Sequence, residues 1–66
     1  MNYTLEIMPI TGMEVNVPTG HGFSYETPAR KTGETVQSYA RRCENLEWDF
    51  IRAVSTWRRK KEQQEN

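Results

Sequence analysis

Five shortages bound this chain before any pattern is sought. It holds a single cysteine, Cys43, so no disulfide can form within it, and with a single histidine, His21, it cannot complete a four-ligand zinc site. No apolar run approaches the roughly 18 residues of a membrane span. The amino terminus lacks the basic stretch and apolar run of a secretory signal. Residues 1–29 contain no Lys or Arg at all, only Glu6, Glu14 and Glu26. Finally, residues 34–66 contain neither glycine nor proline, although residues 9–33 hold all of both.

These absences exclude the usual staples of a small domain. A chain of 66 residues is one domain at most, and domains this short bury only about 60% of their unfolded surface. Without disulfide or metal, a partner chain is the remaining means of support, and the location expected is the cytoplasm. Hydrophobic residues make up 35% of the chain and the formal net charge is zero. That neutrality conceals an acidic first half and a basic second half, since residues 30–66 carry all 9 Lys and Arg. Such polarity suits contacts between oppositely charged ends, or a basic face turned to an acidic partner.

What is present reads as an α+β chain, two strands followed by a helix. Tyr3, Leu5 and Ile7 alternate with polar residues, as do Met13, Val15 and Val17, the pattern of half-buried strands. Placing Leu5 opposite Val17 and Ile7 opposite Val15 pairs Pro9 with Met13, and leaves Ile10-Thr11-Gly12 as a three-residue hairpin loop. This gives a β-hairpin over 3–17 and an irregular connection over 18–33. In that connection Thr27-Pro28 could open a short helical turn. A helix follows over 34–62, capped by Thr32, with Glu34 favouring the positive end of its dipole. Residues 63–66 are expected to fray.

Strands of five or six residues reach ~17–20 Å, whereas positions 34–62 of a helix span roughly 43 Å. The hairpin therefore covers less than half of the helix. Yet Val36, Cys43, Phe50 and Trp57 recur every seven residues, and Tyr39, Leu46 and Ala53 do so offset by three. These are the a and d positions of a heptad seam, with Arg42 and Glu47 as a flanking opposite-charge pair. The seam predicts self-association, most simply a homodimer. A second apolar patch, Trp48 with Ile51, bordered by Glu44, Glu47 and Arg52, predicts a protein interface, because aromatics and Arg dominate binding energies there. The alternative for Trp48 is cover from Phe23 and Tyr25 of the connection.

Catalytic frames are missing. Gly20-His21-Gly22 offers an imidazole, and Ser24, Cys43 and Asp49 offer further reactive groups, but none stands in a nucleophile or phosphate-loop motif. No enzyme activity, cofactor or metal is expected. The sequence predicts a small protein-binding regulator or inhibitor. One alternative is a nucleic-acid-binding accessory protein using Arg41, Arg42, Trp57, Arg58, Arg59, Lys60 and Lys61, through phosphate neutralisation and stacking. The other is a structural subunit of a larger assembly. A strand followed by a helix resembles ribbon-helix-helix repressors in outline only, since the stretch from Glu34 to Glu62 lacks the break that would make a second helix. In size and single cysteine the chain resembles small accessory proteins of phages and mobile elements.

Overall fold

The computed structural model describes residues 2–65 and shows a ββα chain of the α+β class. Strands β1 (Tyr3–Ile7) and β2 (Glu14–Pro18) form an antiparallel hairpin, and helix α1 runs from Val36–Glu65. Neither strand contains glycine, and the β-branched Val15 and Val17 suit a pleated, half-covered surface. The molecule is a rod of 50 × 19 × 17 Å.

The hairpin register differs from the expected one by a single residue. Leu5 pairs with Asn16, Glu6 with Val15 and Ile7 with Glu14. The Met8 amide donates to the Met13 carbonyl at 2.9 Å, and the Gly12 amide donates back to Met8 at 2.9 Å. The loop is therefore Pro9-Ile10-Thr11-Gly12. Pro9 is its first residue rather than a strand partner of Met13, a place where its fixed φ and missing N–H cost nothing. Gly12 closes the loop with φ +71°, a left-handed conformation that a side chain would strain. Because side chains alternate along a strand, one residue of slip exchanges the two faces. Met8, Val15 and Val17 are buried on the face toward α1, while Tyr3, Leu5 and Ile7 lie on the opposite face, where only the Tyr3 ring is reached by a helix side chain, Arg58.

The core lies between this hairpin face and the middle of α1. Met8, Val15, Val17 and Val54 are buried together, with Phe23, Tyr25, Phe50 and Ile51 packed around them. Each fully buried aliphatic side chain of this kind contributes about 1.5–3 kcal/mol.

Residues 19–35 return the chain to the start of the helix without forming a helical turn at Thr27-Pro28. Thr32 is not the cap. It stands with Gly33 (φ +81°) in a tight turn closed by the Glu34 amide on the Lys31 carbonyl at 3.0 Å. A left-handed Gly33 cannot continue a helix, so α1 begins two residues later than expected. The cap is Thr35, whose Oγ1 accepts from the Ser38 amide at 3.1 Å. At the other end the helix runs to Glu65, three residues beyond the expected end at Glu62, and Asn66 lies outside the described residues.

Candidate interaction surfaces

One buried carboxylate and one extended strap decide which residues are left for a partner. Glu47 is fully buried. Its Oε1 accepts the Thr11 amide at 2.8 Å and the Ile10 amide at 3.2 Å, and its Oε2 accepts the Ile10 amide at 3.0 Å. Consecutive loop amides without ladder partners form a small anion-binding concavity. A helix carboxylate fills it here and satisfies both amides. Glu47 is thus a clamp between helix and hairpin loop, not a border of the Trp48 patch or a flanking charge of a heptad seam. Its intended partner Arg42 is engaged elsewhere.

The strap is residues 21–28, laid antiparallel along the flank of α1. His21 packs on Trp57 with the rings tilted by 48° and 4.6 Å between centroids, and Phe23 meets Trp57 and Phe50 edge-on at 6.1 and 6.4 Å. Tyr25 packs on Phe50 at 5.6 Å, and the Tyr39 hydroxyl donates to the Pro28 carbonyl. Trp57 and Tyr39 are separated by roughly 27 Å of helix, and the seven steps from residue 21 to residue 28 reach about 24 Å when extended. An extended strap therefore matches the flank it covers. Hairpin and strap together resolve the length mismatch within one chain. Burial pushes the Tyr25 phenol above its ordinary pKa, and the nearby Glu47 charge adds to the effect.

A charged latch fixes the lower end of the strap. Arg42 reaches Glu34 with Nε at 3.0 Å and Nη2 at 2.8 Å, and Nη2 also donates to the Ala29 carbonyl at 3.0 Å. The Arg42 hydrogen bonds, then the Lys31 amide, lower the Glu34 carboxyl to about 2 from 4.5. A depressed folded-state pKa stabilises above the unfolded value and is lost as the carboxyl protonates. The latch should therefore be complete above about pH 4.5 and open as pH falls toward 2. A Glu34 side-chain titration by NMR checks this. A midpoint at the ordinary carboxylate value would contradict the latch.

The heptad seam divides under this cover. Cys43 is buried, and Tyr39, Phe50 and Trp57 are half-buried beneath the strap, whereas Val36, Leu46 and Ala53 remain exposed. The buried arc runs through Cys43, Glu47 and Val54, so its phase lies one residue beyond Leu46 and Ala53. Phe23 and Tyr25 cover Phe50 rather than Trp48, which stays 37% exposed. Ile51 belongs to the core margin, so of the expected interface Trp48, Glu44 and Arg52 are the exposed members. Arg52 makes only a loose pair with Asp49 at 3.9 Å. Met8 and the Glu47 clamp are the core features that sequence reasoning missed. A lone acid one turn from Cys43, Ile51 and Phe50 was the available signal.

The nucleic-acid set is likewise divided. Trp57 lies between His21, Phe23 and the Lys61 ammonium, which stands 5.8 Å from its ring, so the indole is not a free stacking platform. Arg42 is held in the latch, and the Arg58 guanidinium lies 5.1 Å from the Tyr3 ring. Arg41, Arg59 and Lys60 remain exposed. His21 and Cys43 do not converge: His21 sits at Trp57, roughly 21 Å along the helix from Cys43. Among the described residues no helix is long and apolar enough to cross a membrane, and no three His, Cys, Asp or Glu side chains are grouped to hold a metal. Comparison of the chain with protein-family models, curated proteins and solved structures found no match.

Proposed function

We propose that this protein is a small non-enzymatic, protein-binding regulator or inhibitor that acts through the Trp48 edge of its long helix. The observation that carries the proposal is that the core closes without Trp48. Val54, Ile51 and the hairpin valines pack together without it, and the indole is left 37% exposed, rimmed by the exposed Glu44 and Arg52. A rigid helix presenting an aromatic with a charged rim is the arrangement that concentrates binding energy at protein interfaces. The free, buried thiol of Cys43 fits a reducing compartment and supports a cytoplasmic setting.

Trp48→Ala tests this proposal. Truncating an indole that is 37% exposed and outside the core cluster should cost about 1 kcal/mol of unfolding stability and leave the chain folded. Binding to the protein captured by the tagged wild-type chain from nuclease-treated lysate should weaken roughly 30-fold, the effect of losing about 2 kcal/mol. A folded variant that keeps full affinity would sink the proposal. Capture that disappears with nuclease would transfer it to Arg59 and Lys60.

A further inference from the structure

The hairpin carries apolar side chains on both faces, and α1 covers only one. On the outer face Tyr3, Leu5 and Ile7 stand in a row, 43%, 57% and 63% exposed. The strand's polar Thr4 and Glu6 share the other face with Val17 and Val15 instead. A strand whose apolar residues all face outward is a surface shaped for contact. The strap already covers Tyr39, Phe50 and Trp57 of the helical seam, and this outer row is an uncovered apolar feature of three successive same-face residues.

Charge at its two ends identifies the occupant. At one end Ile7 is paired across the sheet with Glu14, on the same face. At the other the Arg58 guanidinium lies 5.1 Å from the Tyr3 ring. Leu5 sits midway, and Tyr3 and Ile7 are about 13 Å apart along the strand. The row is therefore centred on Leu5 with Asn16 beside it, acidic at one end and basic at the other. We infer that this face is covered by the same face of a second copy of the chain, related by a twofold axis through Leu5. The rotation lays Tyr3 on the second copy's Ile7, Leu5 on Leu5, and Arg58 against the second copy's Glu14. That ion pair forms twice, as a twofold, self-complementary interface requires. A nucleic acid would meet attraction at Arg58 and repulsion at Glu14. The inference is independent of what Trp48 binds, because Trp48 is on the helix and the row is on the hairpin's far side. Three side chains and a charged rim fall at the small end of interface sizes, which gives a dimer that dissociates on dilution.

Sedimentation equilibrium with charge-swapped chains tests the inference, with circular dichroism confirming that each variant folds. At roughly 100 μM the wild-type chain should sediment at twice its 7.8 kDa mass. Leu5→Lys, counted twice at the axis, should raise the dissociation constant roughly 100-fold. Glu14→Arg and Arg58→Glu each place like charges across the interface and should each be monomeric alone. Mixed in equal amounts they restore both pairs, and the dimer should return. A wild-type chain that stays monomeric, a Leu5→Lys dimer of unchanged affinity, or a mixture no more associated than its parts would each overturn the inference. So would association that needs added oligonucleotide.

Discussion

Replacing Glu47 with alanine should cost about 3 kcal/mol or more, the largest effect expected of any single substitution in this chain. The carboxylate accepts from both the Ile10 and the Thr11 amides and is itself fully buried. Hydrogen bonds to a charged acceptor contribute about 1.5–3 kcal/mol each, and orphaned buried donors add a desolvation cost. A chain of this length has a total stability of roughly 3–10 kcal/mol. The variant should thus be largely unfolded, or should unfold at a much lower urea midpoint. Two further substitutions separate hydrogen bonding from packing. Glu47→Gln keeps one acceptor oxygen and should lose about 1–2 kcal/mol. Glu47→Leu fills the volume but orphans both amides, and should fall close to alanine. If leucine is as stable as wild type, the carboxylate is filling space and not clamping the loop.

The second large effect is expected at Phe50. Its ring is half-buried against Phe23 and Tyr25, the two aromatics that hold the strap to the helix. Full burial of a phenylalanine makes truncation to alanine cost about 3–5 kcal/mol, so partial burial puts Phe50→Ala at roughly 2–3 kcal/mol. Loss should be local before it is global. Phe50 also packs on the margin of the hairpin core, but the hairpin keeps its own ladder and the Glu47 hydrogen bonds, which do not pass through Phe50. Limited proteolysis should therefore cut faster within residues 21–28, while amide exchange in β1 and β2 changes little under conditions that keep the chain folded. Equal loosening of strap and hairpin would mean that the two do not form separable layers on the helix.

Element order was legible in the sequence because each element rests on a strong local signal. Alternation over residues 3–7 and 13–17, glycine and proline confined to residues 9–33, and their absence afterwards define hairpin, connection and helix. What sequence reasoning placed wrongly depends on one long-range interaction. Side-chain parity favours Leu5 and Ile7 facing inward, and no local rule opposes it. The opposing term is Glu47, 36 residues beyond Thr11, which binds the loop only when Ile10 and Thr11 present their amides together. The same residue displaced the helical seam. Scored by hydrophobicity alone, Leu46 and Ala53 outrank Glu47, and the heptad frame settles one residue away from the buried arc. The strap was invisible because extended segments carry no periodicity, although Phe23 and Tyr25 were recognisable as residues that pin the connection. At the candidate surface, Trp48 was found from its position opposite the seam. The outward row of Tyr3, Leu5 and Ile7 was found as residues but assigned to the wrong face.

The central claim is that the hairpin register turns those three residues away from the helix and leaves them for a partner. Cross-strand backbone contacts measured by NMR test it most directly. The structure requires contacts of Thr4 with Val17, Glu6 with Val15 and Leu5 with Asn16. Contacts of Leu5 with Val17 and Ile7 with Val15 would place the row against the helix and contradict the account.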